Sequence, residues 1–271
     1  MTVWGTRDWQ PLQRLPKVFA VGGFTQDGKQ LLTSDARGGT QLWDGLSFRS
    51  SRTVTPASEP EDESAFSTPS NSISPDGQRI ATGCSSFSAY PDLTLWSTAT
   101  GKPVVRRPFI DRVLRFSPNS ALLACEMQDI GIVILDAATA RQVHVIHSNW
   151  LVFTPDGKAA ISEDRDGIAY WNTRTWKIER RLTPRGGGAF EAAISGDGQI
   201  LAIATDSGVR LLDAGSGLEL MVITGSDSRE QLTFSPDGTM LAITRDRQVE
   251  IWQVPPRWQL LLRAILRGPD R

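Results

Sequence analysis

The stretch Phe234-Ser235-Pro236-Asp237-Gly238 has the composition of a strand end followed by a tight turn. Proline fixes φ at the first corner of such a turn, the aspartate side chain bonds its own backbone, and glycine accepts the positive φ that closes a hairpin. Variants of this stretch recur about every 40 residues, beginning at Phe24, Ile73, Phe116, Phe153 and Ile194. This period predicts an array of similar units, in which each unit buries its apolar face by packing against its neighbours.

The residues around the last copy predict four short antiparallel strands in each unit. Polar and apolar residues alternate before the turn, and the apolar run 240–244 follows it. A third strand is predicted at 249–252 and, beyond Pro255-Pro256, a fourth at 258–262. Turn residues interrupt the chain too often for a helical solenoid. Four-stranded sheets repeated radially form a β-propeller, so the predicted fold class is all-β.

A second landmark recurs in phase with the turn. An aromatic residue or leucine ends the third strand of each unit, at Trp4, Trp43, Trp96, Leu135, Trp171, Leu212 and Trp252. A large flat side chain repeated at one place in successive sheets is best explained by packing between blades. We therefore predict a structural role for these tryptophans.

These residues carry a family resemblance. The Ser-Pro-Asp-Gly turn, Leu42-Trp43-Asp44 and Thr100-Gly101 resemble the WD-repeat β-propeller family, in the form of a divergent, bacterial-type member. The resemblance covers nearly the whole chain and implies a single propeller domain over 1–271. It also implies that an aspartate six residues before the tryptophan position stabilises the turn between strands two and three, here at Asp129, Asp206 and Asp246.

One part of the family pattern is absent. The histidine that precedes strand one in strong members is missing, because His144 and His147 are the only histidines of the chain. The hydrogen-bond network of Asp, His, Ser or Thr, and Trp that the family uses therefore cannot form in most blades. We expect apolar packing alone to hold the blades.

The two landmarks give different blade counts. The turn occurs six times and the tryptophan position seven times, because residues 1–15 resemble only strands three and four of a blade. The leading prediction is a seven-bladed propeller with an incomplete first blade. The alternative is six blades plus an N-terminal hairpin. A half blade exposes strand edges, which invites pairing with another strand.

Composition narrows the functional classes. Lys plus Arg number 29 and Asp plus Glu 30, for a net charge of −1, so no long-range field favours nucleic acid or an anionic membrane. Two cysteines make no disulfide framework, and no apolar run is long enough to span a bilayer. The N-terminus lacks the pattern of a signal peptide, so a cytoplasmic protein is expected. We find no pattern typical of a catalytic, metal or cofactor site, and predict that the chain is not an enzyme.

The sequence therefore points to the protein surface as the functional element. Residues 49–71 are polar and acidic and are expected to form a flexible insertion. In the family, the loops joining strands two and three and those entering strand one lie on one face around the pore. The basic residues in these loops are Arg37, Arg112, Arg165, Arg185, Arg245 and Arg247. The leading prediction is a non-enzymatic scaffold that holds a protein or peptide partner on this face. The alternatives are an enzyme or small-ligand propeller using the pore, and a regulatory or sensor domain of a longer protein.

Overall fold

The computed structural model describes residues 1–55, 68–85, 92–182, 188–225, 231–245, 248–257 and 259–261. The chain divides into two compact units, Met1–Ile146 and His147–Arg271, and each is described by itself. That the chain forms a single domain stays a prediction. Within the described residues, no helix has the length and apolar character needed to cross a bilayer.

The first unit contains a two-stranded sheet and three four-stranded antiparallel sheets. We call the two-stranded sheet the half blade, and it consists of β1 (Thr2–Trp4) and β2 (Pro11–Arg14). Blade one consists of β3 (Ala20–Phe24), β4 (Gln30–Ser34), β5 (Thr40–Asp44) and β6 (Ser50–Thr55). Blade two consists of β7 (Thr68–Ile73), β8 (Arg79–Ser85), β9 (Asp92–Ser97) and β10 (Pro103–Pro108). Blade three consists of β11 (Arg112–Phe116), β12 (Leu122–Met127), β13 (Gly131–Asp136) and β14 (Gln142–Ile146).

The second unit contains three more antiparallel sheets. Blade four consists of β15 (Leu151–Phe153), β16 (Ala159–Asp164), β17 (Gly167–Asn172) and β18 (Ile178–Leu182). Blade five consists of β19 (Ala189–Ile194), β20 (Ile200–Thr205), β21 (Gly208–Asp213) and β22 (Glu219–Ile223). Blade six, as far as the structure describes it, consists of β23 (Gln231–Phe234), β24 (Met240–Arg245) and β25 (Gln248–Gln253).

Strands within a sheet follow one another in chain order and pair with the strands before and after them. The middle strands are the most deeply buried, and in blade five every residue of β20 and β21 is buried. A strand with neighbours on both faces of its sheet needs apolar residues throughout, which the runs of Leu, Ile, Val and Ala supply. The described architecture is six blades plus an N-terminal hairpin, which is the second of the two counts predicted from the sequence.

The turn between strands one and two is built by side chains of the repeated motif. In blade one the Thr25 hydroxyl donates to the Asp27 carboxylate (2.7 Å) and accepts the Gln30 amide (3.1 Å), while Asp27 also accepts the Lys29 amide (3.0 Å). Gly28 takes the positive φ of 69°. The same hydroxyl-to-side-chain bond occurs in the other copies, at Ser74–Asp76, Ser117–Asn119, Thr154–Asp156, Ser195–Asp197 and Ser235–Asp237.

Three of the repeated tryptophans form hydrogen bonds through their indole N–H groups. The indole of Trp43 donates to the Thr33 hydroxyl on the second strand of its blade (2.8 Å). Equivalent bonds join Trp96 to Thr82 (2.8 Å) and Trp171 to Ser162 (2.9 Å). The expectation that apolar packing alone holds the blades was therefore wrong for these three, because a hydroxyl on strand two satisfies the indole without any histidine.

The fourth strand predicted at 258–262 is also wrong. Arg257 and residues 259–261 are helical. Pro256 has no N–H and a fixed φ, which suits the first turn of a helix, and its carbonyl accepts the amides of Gln259 (2.9 Å) and Leu260 (3.3 Å). Leu260 is fully buried in the apolar cluster of blades five and six. Among the described residues after Pro255-Pro256, Leu260 is thus buried by a helical turn.

The structure places strands at both ends of the stretch 49–71, which the sequence predicts to be a flexible insertion. β6 and β7 occupy these ends, and residues 56–67 lie outside the described part, so the flexible insertion stays a prediction. The β-branched residues Thr53, Val54 and Thr55 favour a strand. Arg52 fixes this strand to blade two, since its guanidinium donates to the carbonyls of Thr98 (2.6 Å) and Ala99 (3.0 Å).

Candidate interaction site

Three of the arginines singled out from the sequence are described, and each lies at the same end of its blade. We call this the loop end, where strand two turns into strand three and where the preceding connection enters strand one. Arg37 lies in the turn between β4 and β5, Arg112 begins β11, and Arg165 lies in the turn between β16 and β17; all three are exposed. Arg185, Arg247 and the side chain of Arg245 fall outside the described residues.

At blade three the two loop-end segments are joined to each other. The Asp111 carboxylate accepts the Gln128 amide (2.6 Å) and thereby connects the segment before β11 to the turn after β12. Directly beside this bond, Arg112 and Glu126 face each other across the two strands and form an ion pair of 2.7 Å. Both side chains are partly exposed, so the pair adds little stability but holds the guanidinium in place.

Two exposed apolar side chains belong to the same loop-end segments. Phe109 lies in the segment before β11 and Ile130 in the turn after β12, and both are exposed. Phe109 and Asp129 have positive φ values of 64° and 62°, a conformation that residues other than glycine adopt at an energetic cost. We call Phe109, Asp111, Arg112, Glu126 and Ile130 the blade-three loop cluster.

The loop ends of blades one and four use their carboxylates within the turn. Asp35 accepts the amides of Arg37 (2.8 Å) and Gly39 (2.9 Å). In blade four, Arg181 of β18 forms ion pairs with Asp164 and Asp166. Burial alone would raise the pKa of Asp164, but the hydrogen bonds from Arg181 and the Asp166 amide, together with the positive charge of Arg181, hold that pKa below its ordinary value.

Arg165 stands between these two carboxylates in the sequence. Neither Asp164 nor Asp166 is paired with it, since Arg181 takes both. Its exposed side chain makes no ion pair with any residue in the described ranges. Among the predicted arginines of the second unit, Arg165 is the one whose side chain the structure describes, and its guanidinium is exposed.

The structure describes two of the three aspartates that the family resemblance assigned to the turns between strands two and three. Asp129 and Asp206 are exposed, and neither carboxylate accepts a hydrogen bond from the described part of the chain. Asp246 lies outside the described residues. Their role in stabilising the turns stays a prediction.

Side chains that could bind a metal ion or transfer a proton are dispersed over the described residues. No group of three or more His, Cys, Asp or Glu side chains is placed to hold a metal ion in the described ranges. Cys125 is buried at the interface of blades two and three, and this burial raises the pKa of its thiol. Burial also lowers the pKa of His144.

A cleft of about 450 Å³ lies in the second unit, between the turn ends of blades five and six. Its charged lining residues are Asp197, Asp237 and Arg257. Both aspartates are bonded within their own turns, and Arg257 donates to the buried Asp213 carboxylate (2.5 Å). Burial alone would raise the pKa of Asp213, but this hydrogen bond and those from Ser216 hold it below its ordinary value. The three charged side chains that line the cleft are therefore already bonded to other groups of the protein.

Comparison with known proteins places the fold. The chain is similar to the β-propeller domain of Cps50 (Swd1) from Myceliophteria thermophila, with a TM-score of 0.67 and 17% identity over 89% of this chain and 83% of that domain. No protein-family model and no curated protein matches the chain. The sheets are thus the blades of a WD-repeat-like β-propeller. The bacterial-type assignment stays a prediction.

The sequence pointed to Arg112 but missed the residues around it. Phe109, Glu126 and Ile130 are isolated residues at strand boundaries and belong to no motif. The repeat was the signal that could have found Glu126, because pairing the first two strands of blade three places it opposite Arg112. Phe109 and Ile130 carry no such signal, since single apolar residues beside a turn are equally common in a core.

Proposed function

We propose that this chain is a non-enzymatic interaction scaffold, which binds a protein or peptide partner at the loop ends of its blades. The blade-three loop cluster is the central part of the site. The supporting observation is that the exposed Phe109 and the Arg112–Glu126 ion pair lie on loop-end segments that the Asp111–Gln128 hydrogen bond joins. A few residues carry most of the binding energy of a protein interface, and arginine and aromatic residues are enriched at interface cores.

The mechanism is rigid presentation. The connection before β11 and the turn after β12 are already bonded through Asp111, so little conformational freedom is lost when a partner docks. Arg112 presents a planar donor group to a partner carboxylate, and Phe109 and Ile130 bury apolar surface beside it. Arg37 and Arg165 are proposed as further contacts, together with the predicted Arg185, Arg245 and Arg247.

The test uses charge reversal at the two ends of one blade. Arg112→Glu changes the loop end of blade three, and Arg141→Glu makes the same change at the exposed corner between β13 and β14 at its other end. Partners captured by the wild-type chain are identified, purified, and titrated against each variant. We expect Arg112→Glu and Phe109→Ala each to weaken binding at least tenfold, since each removes about 1.4 kcal/mol or more, and Arg141→Glu to leave it unchanged.

Blade four provides an independent matched pair. Arg165→Glu alters its loop end, and Arg174→Glu alters the exposed corner between β17 and β18. A partner that dissociates equally from all four charge-reversed variants, or from none of them, contradicts a loop-end site. Thermal unfolding of each variant, within a few degrees of wild type, establishes that the fold is intact.

A further inference from the structure

The turn between β12 and β13 is held by bonds that do not involve the carboxylate of Asp129. The Gln128 amide donates to the Asp111 carboxylate (2.6 Å), and the Ile130 amide donates to the carbonyl of Met127 (3.1 Å). These two bonds engage the backbone on either side of Asp129. Its own side chain is exposed and makes no hydrogen bond or ion pair within the described residues. The carboxylate thus points to a role outside the turn.

The backbone conformation of Asp129 does not require a charge. Its φ is 62°, in a region that aspartate and asparagine both adopt more readily than most other residues. Asparagine meets this requirement as well as aspartate does. The conformation therefore accounts for the type of residue at this position, but it leaves the negative charge unexplained.

The surroundings of Asp129 have an excess of negative charge. Asp111, Glu126 and Asp129 supply three carboxylates and Arg112 supplies one guanidinium, so these four side chains carry a net charge of −2 at pH 7. Arg112 is paired with Glu126 at 2.7 Å. The remaining charge lies on Asp111, which accepts a backbone amide, and on Asp129, which has no partner in the described residues.

The undescribed stretches of the first unit contain no cation that could neutralise Asp129. Residues 56–67 and 86–91 include no lysine, arginine or histidine. Opposite charges that face each other across an interface guide a partner to the correct surface and exclude wrong partners. The charge of this turn is therefore complementary to a cation on a partner.

Exposed apolar side chains accompany this carboxylate. Ile130 follows Asp129 in the chain and is 39% exposed. Phe109 is 55% exposed and lies on the segment that Asp111 joins to the turn. Together these residues present one unpartnered carboxylate and two apolar groups on connected segments.

We propose that the partner of the blade-three loop cluster presents a lysine or arginine next to an apolar residue, and that Asp129 binds the cation. This inference rests on the proposed function and adds to it the chemistry of the partner. The apolar residue of the partner contacts Ile130 and Phe109. The bound segment thus carries a cation for Asp129 in addition to the carboxylate that Arg112 binds.

The first experiment determines the chemistry of the bound segment. A phage-displayed library of random peptides is selected on the immobilised wild-type chain and, in parallel, on Asp129→Asn. We expect the wild-type chain to enrich peptides in which lysine or arginine lies beside an aromatic or aliphatic residue, and Asp129→Asn to lose this preference. A wild-type selection that enriches no peptide, or peptides without an excess of lysine and arginine, overturns the proposal.

The second experiment measures the contribution of Asp129. The most enriched peptide is synthesised and titrated against the wild-type chain, Asp129→Asn and Asp206→Asn. Asp206 is the matched control, because it occupies the same position of the repeat in blade five, is exposed and has no partner in the described residues. We expect Asp129→Asn to weaken binding at least about fivefold, since one charge pair is lost, and Asp206→Asn to leave it unchanged. The wild-type affinity should also fall more steeply with salt than that of Asp129→Asn.

Phe109→Ala separates this inference from the proposed function. Binding that weakens in Phe109→Ala but not in Asp129→Asn leaves the loop-end site in place and overturns the role of Asp129. Binding that weakens in neither variant contradicts both the loop-end site and this inference.

Thermal unfolding of the free chain tests whether Asp129 serves the fold instead. Asp129→Asn should unfold within about 1 °C of wild type, because its carboxylate makes no bond that the amide would lose. A larger loss of stability would assign the carboxylate to the turn, as the family resemblance implies, or to another group of this chain. Either assignment overturns the proposal.

Discussion

The junction of blades two and three and the junction of the half blade with blade one are built from the same repeat but have different solvent exposure. In the first, Ser70 and Gly83 cover Val113. In the second, Val21 occupies the same position of the repeat and is open to solvent. The local hairpins are alike in both, so the difference comes from the neighbouring blade. In a repeat protein, the sequence of a unit determines its strands, whereas burial of its face depends on what precedes it.

The largest effect should come from removing an aromatic side chain at the covered junction. Phe116→Ala should lower the free energy of unfolding by about 3–4 kcal/mol, because it leaves a cavity among buried side chains. Phe24→Ala should cost less than about 1 kcal/mol, because its ring is already half exposed. Urea denaturation of both variants measures the difference. Equal losses at the two positions would mean that the two junctions are covered alike.

A smaller effect, equal in the two blades, is expected at the turns. Thr25→Val and Ser117→Ala each remove a hydroxyl that donates to the side chain two residues on and accepts the amide five residues on. Each change should cost about 1–2 kcal/mol, since both hydroxyls are buried and their amide partners lose an acceptor. Thr25→Ser is the control and should retain most of the stability. Costs that differ as widely as those at the two phenylalanines would show that the turn also depends on its neighbours.

The smallest effect that we expect is a change in folding stability at acidic pH. Asp27 accepts the Lys29 amide and the Thr25 hydroxyl, and these bonds lower the pKa of its carboxyl below the ordinary value of 3.8. A carboxyl whose pKa is lower in the folded state contributes stability above pH 4 or so, and loses it as the pH falls through the folded-state pKa. Blade three has Asn119 at this position, with the same two bonds and no titration.

We therefore expect Asp27→Asn to reduce the acid sensitivity of the chain, and Asn119→Asp to increase it. The measurement is the unfolding temperature of each variant from pH 2.5 to pH 7, compared with wild type. The difference between wild type and Asp27→Asn should narrow as the pH falls, because the protonated carboxyl no longer gains from its two donors. A difference that stays constant with pH would assign these bonds no role in acid unfolding.

Much of the fold could be predicted from the sequence because the repeat combines local turn chemistry with strand alternation. The motif beginning at Phe234 and its variants give the first two strands of every blade, and the tryptophan position gives the third. The end of the chain was predicted wrongly, because the same apolar run suits a strand or a helical turn, and Pro256 decides for the helix. The bond between Trp43 and Thr33 was missed because it depends on register across two strands.

The candidate site was less predictable than the fold. The sequence marks Arg112 as a loop residue, but only pairing across strands places Glu126 beside it. The uncovered face of β3 could not be predicted from its own residues, since Phe24 belongs to the same motif as the buried Phe116. Exposure at such positions is a property of the junction, which a single repeat does not encode.

Thiol labelling of Val21→Cys and Val113→Cys, in a chain whose Cys84 and Cys125 are replaced by alanine, tests the difference between the junctions most directly. We expect Val21→Cys to react at a rate close to that of the unfolded chain. Val113→Cys should react only through opening of the fold, at least about a hundredfold more slowly. Equal protection at both positions would mean that β3 is covered as β11 is, and it would contradict the open junction.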